Sequence, residues 1–278
     1  MKNLYNHLMN EFKPKHSSNK MKNEGDVVLA RKIFLNEKKN NLEFLLYKRF
    51  NWMNRYIKKG SKVIDLGSGA GLIEFFIKEK ILLTDVKMQE FIHKKIDALN
   101  IDLPDNSVDV FICSHMIHHI SHPVKFLKSL EKKLVGGGLI LIQDINTSFF
   151  MRVLLYLMKH EGFSYNNDVF DESITYSNSN DPWEANCAIP QLLFQDGKLF
   201  EKKVPLKILK NSLNEFLLLP LSGGVIAKSK TIELPIFMLK LIDLFDKVMI
   251  YFFPKLFAFG RSVVLKKESG SSRCDKIN

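Results

Sequence analysis

The sequence predicts an α/β fold: a doubly wound parallel sheet, preceded by an N-terminal helical extension and followed by C-terminal helical cap insertions. Three observations predict it. Residues 62–71 read K-V-I-D-L-G-S-G-A-G, a short apolar strand that breaks into glycines at alternating positions. From there to residue 143, apolar runs alternate with amphipathic stretches, as expected of parallel strands covered on both faces by helices. Acids also fall at or near the ends of these runs (Asp65, Asp85, Asp97), near the carboxyl edge where ligands of such sheets bind.

Taken in order, residues 1–25 are polar and rich in Lys and Asn and read as a flexible tail. Helical spacing follows in residues 26–59 (Ile33, Phe34, Phe44, Leu45, Trp52, Tyr56), a lead-in to the sheet. Strand one spans 62–66 and a helix 72–80. Strand two spans 81–84 and ends in Asp85, with a short helix at 88–93. Strand three is brief, at 95–98, and residues 103–107 (L-P-D-N-S) form a turn by composition. Strand four is 108–113. A helix over 124–134 puts Phe126, Leu127, Leu130 and Leu134 on one face, Gly136–Gly138 stop it, and strand five is 139–143. Residues 26–148 thus form the core domain.

Beyond Asp144 the alternation is lost. A helix is expected at 149–159, a polar loop or lid at 163–182, and a strand at 204–210. An aromatic amphipathic helix follows at 234–257, its polar stripe marked by Lys240, Asp243 and Lys247. Residues 149–260 form the cap, 261–267 the last strand and 268–278 a disordered tail.

The formal net charge is +11. It favours nucleic acid, anionic lipid or an acidic substrate, with a lysine-rich solvated surface as the plainer reading. Three widely spaced cysteines argue against a disulfide scaffold and for a reducing compartment. There is no apolar leader and no apolar window long enough for a membrane span. A cytoplasmic protein is expected, peripheral to the inner face of the membrane if the 234–257 helix meets lipid.

The glycine turn is one residue too short for the dinucleotide pattern G-x-G-x-x-G, and it carries Asp65 two residues ahead of its first glycine. Asp85 could accept from both ribose hydroxyls of a nucleoside, Asp97 from an adenine amino group, and Ala98 could offer its amide to the ring. D-L-G-S-G-A-G, then T-D-V, then D-A-x-x-x-x-L-P-D-N-S-V-D-V, M-I-H-H-I-x-x-P and L-x-G-G-G-L-I-L-I resemble class I S-adenosylmethionine-dependent methyltransferases. The type-11 group, similar to enzymes of ubiquinone and menaquinone biosynthesis, is the nearest. The resemblance covers residues 60–145 and implies a Rossmann-like methyltransferase sheet with S-adenosyl-L-methionine as cofactor. It implies that Asp65, Gly67, Ser68, Gly69 and Gly71 shape the pocket for the methionine portion, Asp85 the ribose, Asp97 and Ala98 the adenine, and that Ser114 faces the cofactor. Ser68 replaces the group's usual Cys, and Gly136 its usual Pro. K-H-E-G-F, D-P-W-E-A-N-C-A-I-P-Q-L-L-F and L-S-G-G-V further resemble a bacterial subgroup whose members accompany glycosyltransferases in surface-polysaccharide gene sets.

His115, His118, His119 and His122 cluster just past strand four. No cysteine or carboxylate nearby in sequence completes a metal set, so no metal is expected. His119, by the resemblance, or His118 is the candidate general base or acceptor-orienting group; structural packing at a helix start is the alternative. His160, Glu161, Glu184 and Asn186 are candidate pocket residues, with ordinary polar lid residues as the alternative, and Asp181-Pro182-Trp183 reads as a turn in the lid. The phenylalanines of 234–257 pack over the sheet, close the lid or contact a membrane. The expected activity is methyl transfer to a small-molecule, sugar or lipid-linked glycan acceptor, with O-methylation favoured. Nucleic-acid methylation and a non-catalytic subunit of a membrane-associated complex are the rivals. The intact acid set Asp65, Asp85 and Asp97 argues against the second.

Overall fold

In the computed structural model, which describes residues 10–14, 26–37, 39–159, 161–166, 168–176, 185–226 and 230–269, the alternating elements close into one mixed sheet. In chain order these are β1 (Glu11–Phe12), α1 (Val27–Asn36), α2 (Asn40–Phe50), β2 (Val63–Leu66), β3 (Ile81–Asp85), β4 (Lys94–Lys95), β5 (Val108–Ser114), α3 (Pro123–Lys133), β6 (Leu134–Ile145) and α4 (Phe149–Met158). They are followed by β7 (Phe163–Ser164), α5 (Ile189–Phe194), α6 (Gly197–Lys203), β8 (Lys207–Asn214), α7 (Leu218–Leu221), α8 (Ile236–Phe252), α9 (Pro254–Phe257) and β9 (Gly260–Lys266). The sheet runs β4-β3-β2-β5-β6-β9-β8. The strands up to β6 are parallel, whereas β9 enters antiparallel between β6 and β8. The parallel sheet read from residues 62–143 is thus present, and the antiparallel β8–β9 pair extends it at one edge.

Both faces are covered. Phe111, Phe126, Leu127, Leu130, Phe194 and Phe200 pack on one side. Leu42, Leu46, Met53, Ile73, Leu83 and Ile112 pack on the other. Burial on this scale is the main force holding the sheet.

Local contacts override several helical expectations. The helix expected at 72–80 is one 3₁₀ turn, Leu72–Phe75. Asn54 ends it by donating to the Phe76 carbonyl at 2.8 Å and accepting the Lys78 N–H at 2.9 Å. The helix expected at 88–93 is a turn, because His93 zips back onto β3. Its N–H donates to the Leu83 carbonyl (2.9 Å) and its Nδ1 accepts the Leu83 N–H (3.0 Å). Strand three shrinks to Lys94–Lys95, and a turn at Asp97–Asn100 follows. The glycine run lies inside β6, where it bulges: the register against β5 shifts between Val108 and Val110, and Gly137 has φ 81°. The strand expected at 204–210 begins at Lys207 and forms the sheet edge, so the cap is two segments around a core strand.

The N-terminal stretch is tied down at one point, where β1 pairs with β7. Gly162 allows this approach, since a Cβ there would sit 2.6 Å from the Phe12 carbonyl oxygen. Most of residues 1–25 and 268–278, read as tails, lie outside the described residues, as does Asp181-Pro182-Trp183.

In α8 the buried residues are Leu239, Asp246 and Ile250. The Asp246 carboxylate accepts the N–H groups of Phe216, Leu217 and Leu218 at 3.0–3.2 Å, capping the start of α7. Asp243 pairs with Lys48 of α2 at 2.9 Å. These polar anchors turn the apolar face away from the fold: Phe237 and Phe252 are each 65% exposed and Tyr251 80%. The reading that these aromatics pack over the sheet is therefore corrected. No helix among the described residues is long and apolar enough to cross a membrane.

Candidate active site

The glycine turn leaves the carboxyl end of β2 and is pinned to β3. Ser68 N–H donates to the Thr84 carbonyl at 2.9 Å, and Gly69 N–H donates to Asp85 Oδ2 at 2.9 Å. Gly67, Gly69 and Gly71 all have positive φ (67°, 53° and 65°), a region that L side chains enter only with strain. The turn is also crowded: a Cβ on Gly71 would lie 3.0 Å from both Arg31 Nη1 and Leu83 Cδ1. Arg31 of α1 donates to the Ala70 and Gly71 carbonyls (3.1 and 3.3 Å) and pairs with Glu74. Nothing local in the sequence marks Arg31 as a brace of this turn.

Below the turn lies a cavity of about 490 Å³. It is lined by Asp65, Gly67, Ser68, Gly69 and Ser114, and also by His115, His118, His119 and Glu161. Its apolar walls come from α4 (Met151, Leu154, Leu155, Met158) and from Gly223–Ile226. Gly71, Asp85, Asp97 and Ala98 do not border it. Asp85 stands beside the turn with Oδ1 accepting the Lys87 N–H, and Asp97 is exposed with Oδ1 accepting the Leu99 N–H.

Asp65 is the electrostatic focus of the first set. It is fully buried, and its Oδ1 has no hydrogen-bond partner among the described residues. Desolvation raises its pKa to about 7, with nearby Asp85 adding to the rise and Ser68 opposing it. An orphaned buried carboxylate beside a glycine cradle fits the cationic methionine end of S-adenosylmethionine. The cradle needs its glycines, for a Cβ on Gly67 would press on Met116 Cβ at 3.2 Å.

In the second set, His118 Nδ1 meets Asp144 Oδ1 at 2.5 Å, and both groups are buried. Asp144 is fixed by the Ile117 and Ile145 N–H groups at 2.9 and 2.7 Å. Burial alone would lower the His118 pKa, but the charge and hydrogen bond of Asp144, with help from Glu161, raise it to about 10. Burial alone would raise Asp144, but the charge and hydrogen bond of His118, with His115 and the Ile145 N–H, together lower it. The Asp144 partnership thus favours the protonated form of His118, which weighs against a base role for it. His115, at φ 49°, is pushed well down by burial and by Arg49, so it is neutral; its Nε2 is buried with no hydrogen-bond partner among the described residues.

Glu161 is the residue whose importance the sequence conceals. Its carboxylate lies 3.6 Å from His118 Nε2 and 3.5 Å from His119 Nε2. The fold therefore supplies the carboxylate that the local sequence lacked. Asn186 is a clamp rather than a pocket residue. Its side chain bonds Ser164 N–H, Ser164 carbonyl and Ala188 N–H, and its own N–H donates to the His118 carbonyl at 2.9 Å. Cys187 continues the clamp, its N–H on the Gly162 carbonyl (2.9 Å) and its thiol 3.4 Å from Glu161 Oε2. His160 and Glu184 lie outside the described residues. His122 occupies the N-cap position of α3 without a side-chain capping bond and does not border the cavity.

Arg49 also borders the cavity. It makes a bidentate pair with Glu215 (2.9 and 2.7 Å), and Gln143 donates to the same carboxylate at 3.0 Å.

Comparison with known proteins places this geometry. The family described as a methyltransferase domain, type 11, matches residues 64–142. A SAM-dependent methyltransferase from Archaeoglobus fulgidus superposes with a TM-score of 0.51 at 18% identity, covering 85% of this chain and 99% of its own, which shows a common fold. A SAM-dependent methyltransferase from Thermotoga maritima aligns at TM-score 0.44 and 15% identity, over 87% of this chain and 99% of its own. No curated protein matches the chain. Residues 64–142 match a type-11 methyltransferase domain and lie on a sheet of the class I methyltransferase type, so the chain carries an S-adenosylmethionine-dependent methyltransferase domain.

Proposed function

We propose that the protein methylates a hydroxyl group of a saccharide, carried on a lipid at a membrane surface. The observation that carries this reading is the continuity of the cavity. It is polar where His118, His119 and Glu161 line it, while α4, which walls it with Met151 and Leu155, turns Phe150 and Leu157 outward. Phe150 stacks on Phe257 of α9 at 5.2 Å, and Phe257 meets Phe253 at 6.3 Å, which extends the aromatic surface to the exposed face of α8. A polar head group would reach the cavity while its lipid stays on this face. Exposed Lys240, Lys247 and Lys255 flank the face and favour anionic lipid.

S-adenosylmethionine supplies an electrophilic methyl group on a sulfonium. The chain's own residues do the rest. Asp65 and the glycine turn hold the cationic end, and Met151, Leu155 and Ile226 supply an apolar wall for the cavity. His119 and Glu161 orient the acceptor hydroxyl; such alignment alone supplies much of the barrier reduction in a bimolecular transfer.

The full chain should be incubated with methyl-labelled S-adenosylmethionine and, in parallel, with lipid-linked saccharides in anionic vesicles, free sugars, and RNA or DNA. Label is expected in the lipid-linked saccharide as an alkali-stable O-methyl group, together with low-salt sedimentation of the protein on the vesicles. Label in nucleic acid, or no vesicle binding at low salt, would overturn the reading.

A further inference from the structure

We propose that His118, His119 and Glu161 form a binding site for a divalent transition-metal ion of the zinc type, with the acceptor oxygen or a water as its fourth ligand. One nitrogen from each histidine and one Glu161 oxygen lie within 4.8 Å of one another. His118 Nε2 lies 3.6 Å from Glu161 Oε2 and His119 Nε2 3.5 Å from Glu161 Oε1. Ligands at about 2.1 Å from a tetrahedral centre stand roughly 3.4 Å apart, so a small rotation of the carboxylate brings one of its oxygens into a set shared with both rings. Two imidazoles and one carboxylate are a donor set suited to zinc, cobalt or iron rather than magnesium or calcium.

The surroundings supply the outer shell such a site requires. His118 presents Nε2 to the cluster because Asp144 holds Nδ1 at 2.5 Å, the carboxylate–histidine–metal arrangement that fixes ring orientation and tautomer. The Cys187 thiol, 3.4 Å from Glu161 Oε2, holds the third ligand. The site opens onto the methyl-transfer cavity.

This deepens the reading above by giving the acceptor hydroxyl a Lewis acid. The coordinated hydroxyl loses its proton to solvent, the O–CH₃ bond forms as the S–CH₃ bond breaks, and the neutral thioether leaves. Ion binding itself is measurable without any acceptor.

Untagged full-length protein, stripped with chelator, should be titrated with Zn²⁺ by calorimetry and with Co²⁺ by visible absorption. One Zn²⁺ per chain is expected, with the intense visible bands of four-coordinate cobalt and much weaker binding of Mg²⁺. His119→Ala and Glu161→Gln, checked for folding by circular dichroism, should each weaken Zn²⁺ at least tenfold. Asp144→Asn should weaken it about 10- to 100-fold. Absence of saturable Zn²⁺ binding, or affinity unchanged in both His119→Ala and Glu161→Gln, would overturn the site. Zinc binding without saccharide methylation would leave the site standing and refute the acceptor reading; methylation by metal-free protein would do the reverse.

Discussion

Asp65→Asn is expected to weaken S-adenosylmethionine binding by roughly 10- to 100-fold at pH 8 and to make the cofactor-free fold more stable. The first effect follows from losing a charge-assisted contact in a desolvated site, about 1.5–3 kcal/mol. The second follows from linkage. The folded pKa of Asp65 is about 7 and its ordinary value 3.8. The folded state therefore holds the proton more tightly than the unfolded chain. The associated stability is fully present below the ordinary value and is lost as pH rises through about 7. At pH 8 the cofactor-free protein carries an ionised, orphaned carboxylate, and an asparagine removes a penalty on the order of a few kcal/mol. Because the cofactor's positive end selects the ionised form, affinity in the wild type should rise about tenfold per pH unit towards pH 7 and flatten above it. Calorimetric titrations at several pH values, with thermal melts of both proteins, check all three effects. A pH-independent wild-type affinity would refute this role for Asp65.

Arg49→Leu is expected to destabilise the fold by about 3–5 kcal/mol, because the Glu215 charge is left buried without its partner. The side chains of the pair are only 4% and 5% exposed. Glu215 cannot swing out to water easily. It sits at φ 58° and follows Asn214, which bonds Gln143 and Ser262 at the end of β8. A chain of this size should melt roughly 10 °C lower. Adding Glu215→Gln should recover part of the loss, since the uncompensated charge is then gone. A loss below about 1 kcal/mol in urea unfolding would mean that Gln143 alone satisfies the carboxylate.

These two residues mark the boundary of what the sequence makes legible. Asp65 is readable because β2, its glycine turn and its acid are contiguous, and a parallel strand puts its carboxyl end at the ligand edge by rule. The order of apolar runs likewise predicts β2, β3, β5, α3 and β9 close to their observed bounds. Arg49 and Glu215 are 166 residues apart, and only the finished sheet brings them together. Glu161 joins His118 and His119 for a similar non-local reason: the Asn186–Cys187 clamp draws 161–164 onto the backbone beyond β5. The false helices at 72–80 and 88–93 show tertiary contact overriding local pattern, through Asn54 in one case and His93 in the other. For α8, periodicity locates the helix but does not decide which face is buried. Asp246 decides it, because three backbone N–H groups are aimed at a position that reads as polar.

The central claim is that one cavity holds the cofactor beside Asp65 and the acceptor beside the histidines. Paired determination of turnover and S-adenosylmethionine affinity in His119→Ala tests it most directly. Turnover should fall at least tenfold while the cofactor Kd stays within about twofold of wild type, since His119 follows β5 whereas the glycine turn follows β2. A smaller loss of turnover, or an equal loss of cofactor affinity, would contradict the account.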